Sequence, residues 1–68
     1  MSVYRVTEII GTSTKSWEDA AKEALATAAA SLRDLRVAEV VSQDITMTEK
    51  GTIESFRTKL RVSFKYEK

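Results

Sequence analysis

The 68-residue sequence contains no cysteine, no histidine and no proline, and it has only two glycines and one tryptophan. Without cysteine the chain can form neither a disulfide nor a thiolate metal centre. Without histidine it lacks the side chain that titrates nearest neutral pH, and so the usual general base and metal ligand. A hydrolase triad built on histidine is excluded. Any bound metal would have to be a hard cation held by carboxylate and carbonyl oxygens.

A marked excess of either charge is missing as well. Eleven basic residues (11 Lys+Arg) face 10 acidic ones, for a net charge of +1. This is not the strongly basic footprint of a nucleic-acid binder, so no nucleic-acid partner is expected. No apolar run approaches the ~20 residues of a membrane span, so no membrane partner is expected either. The opening Met1–Val6 has no signal-peptide pattern, and the expectation is a soluble, cytoplasmic protein. Few Gly and no Pro leave few breaks, which favours one domain over residues 1–68. A chain this short buries only about 60% of its unfolded surface, and small domains depend on disulfides, metals or oligomerisation for support. Disulfides are ruled out, so oligomerisation is the support to expect.

What is present is strong patterning. Residues 2–10 are rich in β-branched side chains and alternate with period 2, which predicts a strand that Gly11 breaks. Ser16 is a candidate N-cap, with Glu18 and Asp19 in the first turn that follows. Trp17, Ala20, Ala21, Ala24, Leu25, Ala28, Leu32 and Leu35 recur at helical spacing, predicting an amphipathic helix over about 16–34. Its apolar stripe is mostly alanine, so the helix can approach its partner surface closely, and Trp17 is a bulky plug at its start. A second strand is predicted over about 36–48 and a third over about 52–67, joined by a hairpin turn at Glu49–Gly51. In the third, Phe56, Leu60, Val62, Phe64 and Tyr66 share the even parity of a core face, and Arg57, Lys59, Arg61 and Lys65 share the odd one.

The implied architecture is α+β, a β-α-β-β unit with a three-stranded antiparallel sheet around one helix. A helix of about 18 residues spans roughly 27 Å, whereas a strand of about 13 residues spans roughly 43 Å. One helix cannot cover such strands, and nothing in the sequence covers the opposite sheet face, for which Val3, Ile9, Val37, Val41, Ile45 and Met47 are the expected apolar residues. Exposed apolar surface of that kind marks an interface.

Few chemical motifs stand out. Gly11–Ser16 links a strand to a helix as phosphate-binding loops do, but it has one glycine and no Walker pattern, so it reads as a capped connection. The basic stripe carries no interleaved aromatics of the kind single-stranded nucleic acid stacks on, and it reads as solvated or paired, with Glu39 and Glu54 as available partners. The carboxylates Glu8, Glu39, Asp44, Glu49 and Glu54 are scattered, although an oligomer can gather one from each copy around an axis. No arrangement of an enzyme is visible.

Taken together, Tyr4–Leu32 with its "EIIGTS" and alanine-rich helix, then "LRVAEVVSQD" and "RTKLRVSFKYE", resembles the dodecin family across essentially the whole chain. The resemblance implies a hollow homododecameric shell that stores a small ligand and performs no catalysis. Most members of that family bind flavins such as riboflavin or FMN, stacked in pairs between subunits. The positions matching the flavin pocket are Val37, where a stacking Trp is the rule, Arg57, where an amide is the rule, and Gln43. Val37 offers no ring, and Arg57 donates hydrogen bonds but cannot accept them. These departures resemble a Trp-less subgroup associated with calcium. The resemblance therefore implies a cation or small molecule at subunit interfaces, with Asp44 and Glu8 as the metal ligands to consider first and flavin bound weakly if at all.

Overall fold

The computed structural model describes residues 2–65. Strand β1 (Tyr4–Ser13) leads to helix α1 (Trp17–Ser31), then to strands β2 (Leu35–Met47) and β3 (Ile53–Lys65). The sheet is antiparallel throughout in the order β1-β3-β2, which places β3 at the centre and leaves β1 and β2 as edges. This is the expected β-α-β-β unit.

Local chemistry explains each element. The Ser16 hydroxyl accepts from the Asp19 backbone N–H at 3.0 Å and caps the helix. The Asp19 carboxylate in turn accepts from the Ser13 hydroxyl at 2.7 Å, tying the end of β1 to the first turn. The helix ends at Ser31, three residues short of the expected limit, and Leu32 N–H closes it on the Ala28 carbonyl at 2.7 Å. No glycine marks this end; Asp34 makes the turn with φ 58°, a left-handed conformation that Asp tolerates better than most residues. At the hairpin, Gly51 takes φ 84° and its N–H donates to the Thr48 carbonyl at 2.9 Å.

Helix and sheet meet along alanines. Ala20, Ala24 and Ala28 of α1 are buried, as are Leu60, Val62 and Phe64 of β3, and Ala24 clusters with Leu60 and Val62. Gly11 does not break β1, contrary to the sequence expectation. The strand runs through it to Ser13, and the glycine sits where a Cβ would collide with the Ala20 carbonyl oxygen. Glycine is there for close approach to the helix. Phe56 is half-buried with its ring edge-on to Trp17, centroids 5.2 Å apart, and the Arg5 guanidinium lies 5.4 Å from the centre of the Phe64 ring. Tyr66 and the end of the expected third strand lie outside the described residues.

Thr58 is the polar member of the core face. It is fully buried, and its hydroxyl donates to the Trp17 carbonyl at 2.8 Å. Thr58→Val keeps the shape and removes the donor. A net hydrogen bond contributes about 1 kcal/mol, so the melting midpoint is expected to fall by about 4–8 °C in a thermal melt. An unchanged midpoint would show that the bond contributes nothing.

The outer sheet face differs from the expected one. Register shifts interrupt β2 between Leu35 and Val37, between Val40 and Ser42, and between Thr46 and Met47. Each shift resets the alternation of faces. Ile45 therefore lies opposite Phe56 on the helix side, Val41 falls in the middle shift, and Ile9 packs on the core. The outward apolar residues of β1 are instead Tyr4, Val6 and Ile10, all about half exposed. Val37 does face outward, opposite Ser63.

The molecule measures 52 × 19 × 15 Å. The 15-residue helix spans only about 22 Å of that length. It packs on β1 and β3, while β2 is exposed at every residue from Arg36 to Ile45. No helix among the described residues is long and apolar enough to cross a membrane.

Candidate functional site

The outer sheet face concentrates the charged side chains. Register places Arg57, Lys59 and Arg61 of the central strand between acids on both edges. Arg57 meets Asp44 of β2 with two parallel bonds, Nε to Oδ1 at 2.7 Å and Nη2 to Oδ2 at 2.8 Å. Such a fork is the strongest geometry available to an exposed ion pair. Glu8 of β1 accepts from Arg61 at 2.8 and 3.2 Å and from Lys59 at 3.3 Å. Arg61 also reaches Glu39 of β2 at 3.5 Å, so one guanidinium links both edge strands across the centre.

These contacts set the protonation of the acids. Hydrogen bonds from Arg61 and then Lys59 hold the Glu8 carboxyl below its ordinary range, and the Arg57 fork does the same for Asp44. The guanidinium groups of Arg57 and Arg61 are pushed the other way, chiefly by Asp44 and Glu8 respectively. Because both carboxyls are more acidic in the folded chain, whatever stability they add is complete above about pH 4 and is lost as pH falls below it. Thermal melts from pH 7 to pH 2.5 should therefore show a falling midpoint at the acid end. The double variant Glu8→Gln/Asp44→Asn should show a shallower fall there; an identical acid limb would mean that the two pairs add nothing.

A small cavity of about 170 Å³ opens beside the fork, lined by Ile10, Ser42, Asp44, Arg57 and Lys59. Asp44 is positioned from behind, since its backbone carbonyl accepts from the Trp17 indole Nε1 at 3.0 Å. This link between the helix start and β2 is invisible in the sequence, where Trp17 reads only as an apolar plug. The Asp44–Arg57 pairing does leave a signal, because counting outward from the Thr48–Thr52 turn brings the two near one another. Of the two acids anticipated as partners of the basic stripe, Glu39 is engaged and Glu54 forms no ion pair among the described residues.

The residues singled out from the sequence do not converge within one chain. Val37 lies opposite Ser63 and Arg57 opposite Asp44, so the two share the outer face but sit about 20 Å apart along the strands. Gln43 lies opposite Thr58, on the helix side of the sheet. Glu8 and Asp44 are on different edge strands, roughly 15 Å apart by strand geometry. A calcium ion takes 6–8 oxygen ligands. Among the described residues no group of three or more Asp or Glu is placed to hold a metal. The described residues of one copy alone therefore do not fit a calcium ion. A ligand touching several of these residues needs more than one copy.

Comparison with known proteins agrees in sequence and in fold. The sequence model of the Dodecin family matches residues 3–67. Calcium dodecin from Mycobacterium tuberculosis (strain ATCC 25618 / H37Rv) is 54% identical over 65 residues, spanning 96% of this chain and 90% of that protein. A crystal structure of M. tuberculosis calcium dodecin, described as having a novel calcium-binding site, superposes with a TM-score of 0.86 at 52% identity, covering 97% of this chain and 93% of that one. A Thermus thermophilus dodecin variant superposes at 0.90 with 35% identity over 100% of both chains. Streptomyces coelicolor dodecin superposes at 0.91 with 30% identity over 98% of this chain and 94% of that one. With a family match over nearly its full length and the β-α-β-β fold in common with these structures, the chain belongs to the dodecin family.

Proposed function

We propose that this chain is a subunit of a homo-oligomeric dodecin shell that binds or stores calcium, or another small ligand, where subunits meet, and that it performs no catalysis. The observation that carries the calcium reading is the 54% identity to calcium dodecin over 96% of the chain. The geometry of the outer face supports the interfacial placement. Its acids are spread across two edge strands, so only neighbouring copies can bring enough oxygens together for a hard cation. Asp44 and Glu8 are the acids we assign first. The absence of histidine and cysteine supports a non-catalytic role, as do carboxyls held ionised by their basic partners, which makes them poor proton donors near neutral pH. The Trp-less, calcium-associated subgroup is the branch of the family to which we assign the chain.

A cation at Asp44 has to displace the Arg57 fork or share the carboxylate with it. Titrating calcium into metal-stripped protein in a calorimeter should give saturable heat, and Asp44→Asn should weaken it at least tenfold. At 100 times its dissociation constant the ion should also stabilise the fold by about 2.7 kcal/mol, read as a higher melting midpoint. Absence of both heat and thermal shift would overturn the calcium reading. Riboflavin fluorescence is expected to stay unchanged on adding the same protein, because Val37 offers no ring to stack on a flavin. Quenching at micromolar protein would favour a flavin store instead.

A further inference from the structure

We infer that Trp17 is a positioning residue for Asp44: its indole N–H latches the register of β2, and that register puts the Asp44 carboxylate on the outer face. The link to ligand binding rests on the role proposed above for Asp44; the latch itself rests on geometry alone.

The segment that carries Asp44 is bounded by two irregularities. Ser42 to Thr46 pair with Lys59 to Ser55, and the register shifts on either side, between Val40 and Ser42 and between Thr46 and Met47. A segment with a bulge at each end slides when one residue passes from one bulge to the other, while the rest of the sheet stays in place. A slide of one residue turns every side chain to the opposite face. Asp44 would then point to the helix side, away from its fork with Arg57.

Burial does little to prevent this. Register is firmly set where one face of a strand is buried. Here the inward Gln43 is exposed and the inward Ile45 is 37% exposed, because α1 packs on β1 and β3 and leaves β2 uncovered. Something else has to hold the pairing.

Trp17 stands directly behind the rung in question. Phe56 and Thr58 flank Arg57 on β3 and point to the helix side, while Arg57 points outward. The Trp17 ring meets Phe56 edge-on at 5.2 Å, and its carbonyl accepts from the Thr58 hydroxyl at 2.8 Å. Those two contacts fix the indole against β3. From there Nε1 donates to the Asp44 carbonyl at 3.0 Å, the one hydrogen bond between α1 and β2 among the described residues. Asp44 is thus gripped twice, through its backbone by Trp17 on the inner side and through its carboxylate by Arg57 on the outer side. Any ligand that draws the carboxylate away from Arg57 leaves the indole as the grip that keeps Asp44 facing out.

Trp17→Phe tests this, because it keeps a ring beside Phe56 and the carbonyl for Thr58 and removes only the donor. Hydrogen exchange read by mass spectrometry should become roughly tenfold faster or more over Ser42–Thr46, with β1 unchanged. Thr46→Cys/Ser55→Cys supplies the rescue. The two native hydroxyls lie 2.6 Å apart across the same segment, and the chain has no other cysteine to mispair. Oxidising that pair in the Trp17→Phe background should restore slow exchange, and reducing it should abolish the rescue. Losing a group that orients a metal ligand weakens metal binding roughly 10- to 100-fold, so calcium affinity in the calorimeter should fall by that much and return on oxidation. Exchange that rises equally in β1 and β2, or not at all, would overturn the latch, as would an oxidised variant that still exchanges fast. Wild type and Trp17→Phe binding calcium equally would overturn its role in the site. Localised fast exchange in Trp17→Phe, with no calcium heat from the wild type, would instead overturn the calcium reading and uphold the latch.

Discussion

Gly11→Ala is expected to be among the most damaging single substitutions in the chain, lowering the thermal midpoint by roughly 4–24 °C. The new Cβ would collide with the Ala20 carbonyl oxygen and stand 2.8 Å from the Ala24 Cβ. The first obstacle is helix backbone, which cannot turn aside as a flexible side chain can, so α1 must lift off β1. Overpacking of this kind costs about 1–3 kcal/mol and sometimes more, and a domain this small has little stability to lose. Lifting α1 also strains the contacts that run from its start: the cap at Ser16, the Thr58 bond to the Trp17 carbonyl and the indole bond to Asp44. The other glycine is the control. Gly51 has no neighbour within 4 Å of an added Cβ but holds φ 84°. Gly51→Asn, a residue that tolerates that conformation, should therefore cost well under about 1 kcal/mol. A Gly11→Ala protein that melts like wild type would mean that helix and strand do not approach so closely.

The two glycines also show how far the sequence can be read. Gly51 sits between two alternating runs, where a turn needing positive φ is the local requirement, and it is found in that role. Gly11 stands in an equally turn-like context, "GTSTK", yet it serves a contact with Ala20 and Ala24 that is set by tertiary packing. Local pattern carries the first kind of information and not the second. The alanine stripe was legible because helical spacing gathers Ala20, Ala24 and Ala28 on one side whatever they pack against. The core face of β3 was legible because its pairing partners keep it in a single alternation from Phe56 to Phe64. On β2, strict alternation puts Ile45 on the outer face, but the shifts at Val40/Ser42 and elsewhere turn it inward. Nothing in "EVVSQD" marks a bulge, because its position depends on how β2 is paired with β3 and how the sheet twists. The charged face followed the same rule. The basic stripe was visible as a period of two, whereas the assignment of Arg57 to Asp44 and of Lys59 and Arg61 to Glu8 needed the register.

The double variant Val37→Trp/Arg57→Gln is expected to bind flavin more tightly than the natural sequence does. Val37 is 61% exposed on the outer face, so a larger ring can be placed there without disturbing the core. Arg57→Gln replaces a donor-only group with an amide that both donates and accepts, as the polar edge of a flavin requires. It also releases Asp44 from its two bonds at 2.7 and 2.8 Å, and because that pair is exposed the loss of stability should be small. Aromatic stacking adds about 0.5–1.5 kcal/mol per pair, so a ring on each side of the ligand adds about 1–3 kcal/mol, or roughly 5- to 150-fold in affinity. The two positions lie about 20 Å apart in one chain, so a single copy cannot place both on one flavin. The gain should therefore depend on assembly. Riboflavin fluorescence should be quenched by the assembled double variant and less by Val37→Trp alone. An assembled double variant that leaves riboflavin fluorescence unchanged would show that Val37 and Arg57 do not border a common pocket, and the correspondence of these positions to a flavin site would have to be abandoned.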